Sequence, residues 1–237
     1  MRRVPRHLDA LRDKDPEVFA GRFQIEGEGG IGGVSIVYRA RDRLSGETVA
    51  LKLLRKSDWA ALRRFDTEAE ALEKVHHPAI VRHIAHGLGE GGQRFLAMEW
   101  VEGETLGARL RRGPLGVAEV VRLGRRIADA LTAAHAVGLL HRDVKPSNVL
   151  LPNKDIDQAK LADFGLARPT APESAEEVHA TATGIIVGTP GYMAPEQAHG
   201  VPDLDGRADL FSLGCLLFRC LTDVEAFGGS RALTALA

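Results

Sequence analysis

The first hundred residues alternate between short apolar runs and glycine-rich turns, a pattern typical of β-strands. The clearest runs cover residues 34–38, 48–54 and 95–101, and each has the length of one strand. Residues 59–75 differ, because they place apolar side chains three and four positions apart. That spacing predicts an amphipathic helix. We therefore expect residues 21–101 to form a small sheet lobe with one helix.

The pattern changes after Gly103, where apolar positions take mainly helical spacing. Residues 117–137 predict a long amphipathic helix, and residues 208–221 predict a second, more apolar helix. The expected fold class is α+β, with a small antiparallel sheet lobe followed by a larger, mainly helical lobe over residues 102–237. A ligand between two such lobes is the default expectation.

Composition and charge indicate an ordinary globular chain. The 237 residues carry a net charge of −1 and are 44% hydrophobic, so neither a nucleic acid nor an anionic membrane is implied as a partner. The apolar stretch 210–221 is shorter than the roughly 20 residues that span a bilayer. Residues 1–20 lack the apolar region of a secretion signal, which predicts a leader and a cytoplasmic protein. Cys215 and Cys220 suit buried thiols of a reducing compartment.

A glycine-dense segment, residues 27–33, is predicted to form a turn between two strands. Glycine has no Cβ, so such a turn can close over a phosphate chain. Two registers of the G-x-G-x-x-G pattern compete, namely Gly27, Gly29 and Gly32, or Gly30, Gly32 and Ser35. We prefer the second register, although serine replaces its last glycine, because it places Val37 where an apolar contact over an adenine is needed.

Lys52 ends the apolar run 49–52, and its side chain has two interpretations. A lysine at a strand end commonly reaches solvent. It can instead contact phosphate, in which case a carboxylate is needed to hold it. Glu68 is the best candidate for that carboxylate, because its apolar neighbours would turn this part of the predicted helix inward.

The loop 141–148 carries His, Arg, Asp, Lys and Asn between apolar segments. Ordinary loops seldom hold so many of these groups, because each needs a hydrogen bond or solvent. Asp143 with Asn148 five residues later suits phosphoryl transfer, in which the aspartate accepts a hydroxyl proton and the asparagine amide oxygen helps to hold Mg²⁺. A second short strand delivers Asp163 to a turn at Gly165, and this carboxylate would be the other protein ligand of Mg²⁺.

These motifs occur in the order of the protein-kinase signature set. They are Gly30-x-Gly32-x-x-Ser35-x-Val37, Val49-Ala50-Leu51-Lys52, Glu68, His141-Arg142-Asp143-x-Lys145-x-x-Asn148, Asp163-Phe164-Gly165 and Ala194-Pro195-Glu196. From about Gly21 onward the chain resembles the bacterial eukaryotic-type serine/threonine protein kinases. The resemblance implies a bilobal protein-kinase fold that transfers the γ-phosphate of ATP, with Mg²⁺, to serine and threonine hydroxyls of protein substrates.

The resemblance also assigns catalytic roles. Lys52 would bind the α- and β-phosphates and be positioned by Glu68. Asp143 would be the catalytic base, and Lys145 would neutralise the γ-phosphoryl group. The Mg²⁺ ligands would be Asn148 and Asp163.

In the family that the chain resembles, the adenine lies against apolar side chains and hinge backbone. The corresponding positions here are Val37, Ala50, Leu150, the gatekeeper Met98, and the backbone of Glu99 and Val101. Two positions depart from the family pattern, because Trp100 takes a hinge position more often held by tyrosine and Gly29 removes a side chain usually packed above the adenine. Asp209 matches the residue whose helix anchors the catalytic loop from below.

Residues 168–187 are rich in Ala, Glu, Ser and Thr, which by composition alone indicates an ordinary loop. Thr181 and Thr183, however, precede Thr189 at the spacing of activation-loop phosphothreonines in the kinases that the chain resembles. Arg142 is placed to pair with such a phosphate. We therefore expect autophosphorylation at one or both threonines, with self-association as its accompaniment. Thr189 itself follows the serine/threonine rather than the tyrosine kinase pattern.

Two alternatives to an active protein kinase remain. A pseudokinase or nucleotide-binding scaffold would bind without transfer, and the intact residues at Lys52, Asp143, Asn148 and Asp163 argue against it. A small-molecule phosphotransferase would lack the peptide-binding residues Lys145, Thr189 and 194–196. The family's larger lobe continues for several dozen residues more, so we expect an incomplete C-lobe in which Glu196 misses its usual arginine partner. That incompleteness keeps the pseudokinase alternative open.

Overall fold

The computed structural model describes residues 18–31, 35–54, 59–164, 190–201 and 203–227. These residues form two compact units. The first contains the described residues up to 54 together with 83–100, and the second contains 59–82 and the described residues from 101 onward. The contacts therefore group the helical segment 59–73 with the second unit, although in the sequence it lies among the strands of the first.

The first unit is a six-stranded sheet with the spatial order β1-β2-β3-β4-β6-β5, in which every neighbouring pair is antiparallel. Its strands are β1 (Val18–Phe19), β2 (Phe23–Ile31), β3 (Ser35–Asp42), β4 (Thr48–Leu54), β5 (His83–Leu88) and β6 (Arg94–Glu99). The three predicted strands are confirmed as β3, β4 and β6. β6 ends before residue 101 because its last pair with β4 joins Glu99 to Val49.

Alternation of side chains gives this sheet two different faces. One face carries the apolar core of the unit, formed by Phe19, Phe23, Tyr38, Ala40, Val49, Leu51, Leu53, Phe95 and Ala97. The alternate positions of the same strands lie on the opposite face, and among them are Val37, Ala50, Lys52 and Met98. Because the apolar core lies on the first face, the second face is the one that can contact a ligand.

The glycine-dense segment is strand over most of its length, so the prediction of a turn from residue 27 is wrong. β2 runs through Gly27, Gly29 and Gly30 to Ile31 and pairs with β3, with irregular register between Ile25 and Gly27 and again between Glu28 and Gly30. Pairing with a neighbouring strand has overridden the weak strand preference of glycine, and the two bulges absorb the irregularity. Gly32 lies outside the described residues.

The end of the predicted leader belongs to the sheet. Val18–Phe19 pairs with β2 as β1, and the Phe19 ring packs edge-on against Phe95 with centroids 5.6 Å apart. Gly89 makes this packing possible, because a Cβ at that position would overlap the Phe19 ring. The folded part of the chain therefore includes residues 18–20, which the sequence analysis assigned to the leader.

The second unit is mainly helical. Its helices are α1 (Trp59–Glu73), α2 (Leu106–Leu110), α3 (Val117–His135), α4 (Pro195–Ala198) and α5 (Gly206–Thr222). A small antiparallel sheet accompanies them in the order β7-β8-β9, with β7 (Gly103–Thr105), β8 (Val149–Pro152) and β9 (Lys160–Leu161). α3 and α5 confirm the two helices predicted from the apolar spacing.

Packing of α3 against α5 forms the centre of this unit. α3 buries a stripe with helical spacing, which includes Leu123, Ile127 and Leu131. α5 begins at an N-cap, where the Asp205 carboxylate accepts a hydrogen bond of 2.9 Å from the Arg207 N–H. These two helices form the base on which the loop after α3 lies.

α5 is buried on one side only. Cys215 and Cys220 are buried and unpaired, as predicted, and burial raises the pKa of the Cys220 thiol to about 12. On the other side Leu210, Phe218 and Leu221 are each about half exposed. The incompleteness of the C-lobe stays a prediction. In the described part of the chain, no helix combines the length and hydropathy needed to cross a bilayer.

A buried carboxylate stabilises the end of β3. Both oxygens of Asp42 accept hydrogen bonds from the Arg22 guanidinium, at 2.8 and 2.7 Å, and the Leu44 N–H and Ser45 hydroxyl also donate to it. The Arg22 hydrogen bonds lower the pKa of Asp42 from 3.8 to about 2, and the donors at Leu44 and Ser45 act in the same direction.

We predict that Asp42→Asn lowers the free energy of unfolding by about 2 kcal/mol at neutral pH, since that is the energy equivalent of this change in pKa. Because the folded pKa lies below the unfolded one, the stabilisation is complete above about pH 4 and is lost as the pH falls toward about 2. Urea denaturation of both proteins at several pH values measures the difference. The exposed Glu90→Gln is the control, and an equal loss there would contradict the prediction.

Candidate active site

In the loop between α3 and β8, contacts among the polar side chains hold them in place. A single 3₁₀ turn, Pro146–Asn148, turns the chain back so that Asn148 faces Asp143. The Asn148 Nδ2 donates to the Asp143 carbonyl oxygen at 2.8 Å and to its Oδ2 at 3.0 Å. Lys145 Nζ lies 2.9 Å from the same Oδ2. The Asp143 carboxylate is therefore oriented by one amide and one ammonium group.

Asn148 and Asp163 carry the oxygen donors that a hard cation takes. Because the Asn148 Nδ2 donates to Asp143, its Oδ1 is the oxygen available for other contacts, and the Ser147 hydroxyl lies 3.3 Å from it. Asp163 follows β9 in a left-handed conformation, with φ at 57°. Among the described residues no group of three or more His, Cys, Asp or Glu side chains could hold a metal. An amide and a carboxylate that share Mg²⁺ with phosphate and water match this donor set.

The buried Asp209 carboxylate, on α5, holds the backbone of the loop from below. Its Oδ2 accepts hydrogen bonds of 2.8 Å from the His141 N–H and from His135 Nε2, and its Oδ1 accepts one of 2.7 Å from the Arg142 N–H. Burial by itself would raise the pKa of Asp209, but these hydrogen bonds keep the pKa below its usual value. Asp209 therefore remains ionised at neutral pH.

His141 connects this loop to the segment that carries Asp163. Its Nδ1 accepts from the Asp143 N–H at 3.2 Å, so the proton on the ring is assigned to Nε2, which donates to the Ala162 carbonyl oxygen at 3.0 Å. Burial lowers the pKa of His141, which favours this neutral form. The Ala162 N–H in turn donates to the Asn148 carbonyl oxygen at 2.9 Å. The two acidic residues are thus positioned by one hydrogen-bonded unit.

Arg142 and Glu68 form an ion pair inside the second unit, with Arg142 Nη1 2.5 Å from Glu68 Oε1. Arg142 has a left-handed backbone, with φ at 61°, and its carbonyl oxygen accepts a hydrogen bond of 2.7 Å from Gln197. Among the described residues, Arg142 Nε and Gln197 Oε1 are buried without a hydrogen-bond partner. The motifs predicted Glu68 as the partner of Lys52 and Arg142 as the partner of a phosphate, so the contact between Glu68 and Arg142 was not predicted.

In the first unit, the predicted nucleotide-binding residues share one face of the sheet. Val37 is the cross-strand partner of Lys52, and Ala50 is the partner of Met98. The Lys52 and Met98 side chains are buried, whereas Val37 and Ala50 are half-buried. This arrangement places three apolar side chains and one ammonium group together, which suits a flat apolar ring that carries phosphates.

Comparison with known proteins identifies the family of this chain. The model of the protein kinase domain matches residues 23–235. The chain belongs to the protein kinase domain family. This confirms the resemblance inferred from the motifs.

Curated relatives of the kinase domain are serine/threonine protein kinases. Pkn3 of Myxococcus xanthus is 36% identical over 235 residues, which are 94% of this chain and 42% of that protein. PknL of Mycobacterium tuberculosis is 39% identical over 217 residues, or 90% of this chain and 52% of that protein. The chain thus spans about half the length, or less, of the curated relatives it matches.

Solved kinase structures match the fold. The kinase domain of PknI from Mycobacterium tuberculosis has a TM-score of 0.74 at 29% identity, over 93% of this chain and 81% of that one. Residues 1–466 of Rad53, in complex with AMP-PNP, give a TM-score of 0.71 at 29% identity, over 90% of this chain and 52% of that one. The predicted α+β, bilobal kinase fold is confirmed.

The remaining predicted site residues of the kinase domain fall into two groups. Gly30 is exposed on β2 opposite Val37, Ser35 is buried at the start of β3, and Leu150 is half-buried on β8. Glu99 ends β6, and Val101 belongs to the second unit. Outside the described residues lie Gly32, Thr181, Thr183 and Thr189.

Sequence reasoning missed His135, which donates to Asp209 from the last turn of α3. A lone histidine on an amphipathic helix gives no signal of such a contact, because its partner is 74 residues away in the chain. A cavity of about 250 Å³ beside Lys145 was also not foreseen. It is lined by Gly107, Leu110, Lys145, Pro146, Ser147, Tyr192 and Arg219.

Proposed function

We propose that this chain is the catalytic domain of a cytoplasmic serine/threonine protein kinase, which transfers the γ-phosphate of Mg-ATP to serine and threonine hydroxyls of proteins. The oriented carboxylate of Asp143 carries this proposal. In the transfer, the substrate hydroxyl oxygen forms a bond to the γ-phosphorus, and the bond from that phosphorus to the β,γ-bridging oxygen breaks. The hydroxyl proton passes to Asp143, and ADP leaves.

The contacts around Asp143 support these roles. Lys145, held 2.9 Å from Asp143, brings a positive charge next to the base, where it can neutralise the γ-phosphoryl group. Asn148 donates to Asp143 through nitrogen, so its amide oxygen and the Asp163 carboxylate can hold Mg²⁺. Bound Mg²⁺ supplies charge neutralisation on the phosphates.

In the six-stranded sheet, the face opposite the apolar core supports the proposed nucleotide-binding roles. Val37, Ala50 and Met98 offer an apolar surface for adenine, and Leu150 is a further proposed adenine-binding residue. The backbone of Glu99 and Val101 would hydrogen-bond the base, and Gly30, Gly32 and Ser35 would cover the phosphates. Lys52, on that same face, would contact the α- and β-phosphates, with Glu68 as its proposed partner.

Protein substrates are proposed from two observations. The named relatives are serine/threonine protein kinases, and a cavity adjoins Lys145 where a substrate segment could lie. A pseudokinase is the less favoured alternative, because Lys52, Asp143, Asn148 and Asp163 are all present.

We predict that Asp143→Asn lowers phosphate transfer from Mg-ATP to a generic basic protein by about a hundredfold or more, because the hydroxyl loses its base. Radiolabel incorporation at saturating ATP measures the effect. The matched control is Asp157→Asn, a half-exposed aspartate paired with Arg122 on the surface, which should change the rate by less than about twofold. Equal incorporation by the wild type and the Asp143 variant would remove Asp143 from the mechanism.

We also propose that the kinase phosphorylates its own loop at Thr181, Thr183 or both, and that Arg142 then pairs with the phosphate. The Arg142 guanidinium pairs with the Glu68 carboxylate, an anion that the phosphate would replace, and this pairing supports an anion-binding role for Arg142. Self-association would accompany the reaction between two copies.

After incubation with Mg-ATP, we expect mass spectrometry to find phosphate on the peptide that contains Thr181 and Thr183. The Asp143→Asn variant, treated in the same way, should carry none. Phosphate only at other positions would contradict the proposed sites, whatever the activity of the kinase toward other proteins.

A further inference from the structure

Two histidines lie side by side on β5, the last strand in the spatial order of the six-stranded sheet. His83 Nε2 is 2.9 Å from His86 Nδ1, and the centroids of the two rings are 5.1 Å apart. Between two neutral imidazoles, one of these nitrogens must donate a proton and the other must accept it. The two rings therefore share one proton between facing nitrogen atoms.

This proximity depends on an irregularity in β5. On a regular strand, residues three positions apart point to opposite faces of the sheet. Here the register shifts between His83 and Ala85, so that His83 lies opposite Met98 and His86 lies opposite Leu96. Leu96 and Met98 are alternate residues of β6 and share a face, as do residues that lie directly opposite each other. The bulge thus brings both imidazoles to one face.

That face is the one opposite the apolar core of the unit. On the other side of β6, Lys52 is the partner of Leu96 and Ala50 is the partner of Met98. The two histidines therefore continue, at the β5 edge, the rows that carry the predicted nucleotide-binding residues. Both histidines are half-buried, so the sheet supports the rings while part of each remains exposed to solvent.

The separation of the two facing nitrogens suits a metal ion. Imidazole nitrogens lie about 2.0–2.1 Å from a bound first-row metal such as zinc. Two bonds of this length at a right angle place the nitrogens about 2.9 Å apart, whereas the tetrahedral angle places them about 3.3 Å apart. The observed 2.9 Å therefore matches two neighbouring positions of a square-planar or tetragonal site, which is the geometry of Cu²⁺ and Ni²⁺.

We propose that His83 Nε2 and His86 Nδ1 together bind one divalent transition-metal ion, with Cu²⁺ and Ni²⁺ preferred. The shared proton moves to the other nitrogen of the donating ring, so both rings stay neutral, and rotation of the rings turns the two lone pairs toward the ion. Among the described residues, no third His, Cys, Asp or Glu side chain joins the pair, and water takes the remaining positions.

This site is separate from the proposed Mg²⁺ ligands and does not depend on phosphate transfer. Mg²⁺ takes oxygen ligands, whereas imidazole nitrogen suits copper and nickel. An excess of Mg²⁺ therefore leaves the histidine pair available for a transition metal.

The test is isothermal titration calorimetry of Cu²⁺ into the full chain with excess Mg²⁺ present. His83→Gln and His86→Gln should each weaken the tightest Cu²⁺ binding by about tenfold or more, because a single imidazole loses the second, intramolecular bond to the ion.

The matched control is His76→Gln, which removes an exposed imidazole seven positions before His83 and should change Cu²⁺ binding by less than about twofold. The inference is overturned if His76→Gln weakens binding as much as His83→Gln, or if neither variant of the pair weakens it.

A second measurement needs no variant. Substoichiometric Cu²⁺ is paramagnetic, so it should broaden the NMR amide signals of residues 83–86 and 96–98 before those of β2. In the spatial order of the sheet, β2 is four strands from β5, or about 19 Å at the usual strand spacing. Broadening that begins elsewhere in the chain would overturn the inference and leave the proposed kinase function intact.

Discussion

The Asp209 carboxylate is removed from water and accepts hydrogen bonds from His135 and from the backbone N–H groups of His141 and Arg142. Transfer of a carboxylate out of water costs several kcal/mol unless partners compensate. Each hydrogen bond to a charged group contributes about 1.5 to 3 kcal/mol, so three of them offset that cost. The loop conformation stabilises this charge, so Asp209 on α5 positions the loop of the candidate active site.

Other hydrogen bonds and one ion pair connect this loop to the neighbouring segments. The His141 ring connects the loop to Ala162, and Asn148 holds Asp143 from the opposite end of the same loop. Arg142 occupies a left-handed backbone position that Asp209 stabilises, and its side chain reaches Glu68 on α1. The residues proposed for base catalysis, for the metal and for regulation therefore depend on one hydrogen-bonded network rather than on separate local structures.

Much of the fold and of the candidate site could be predicted from the sequence, because apolar spacing is a local signal and the motifs occur in a recognisable order. Apolar spacing predicted β3, β4, α3 and α5, and the order of the motifs predicted the family. Contacts between distant parts of the chain determine the features that the sequence did not predict. The glycines at 27–30 are in a strand because β3 pairs with them, and the contacts of His135 with Asp209 and of Arg142 with Glu68 each span 74 residues. No local pattern encodes such distances.

Amide hydrogen exchange observed by NMR tests directly whether Asp209 holds the loop 141–148 through the two backbone N–H groups. In Asp209→Asn, the exchange of the His141 and Arg142 amides should accelerate by about tenfold or more relative to amides in β3. Asp205→Asn, at the N-cap of the same helix, keeps a good cap residue and should leave these rates unchanged. Equal protection of the two amides in the wild type and Asp209→Asn would show that Asp209 does not hold the loop.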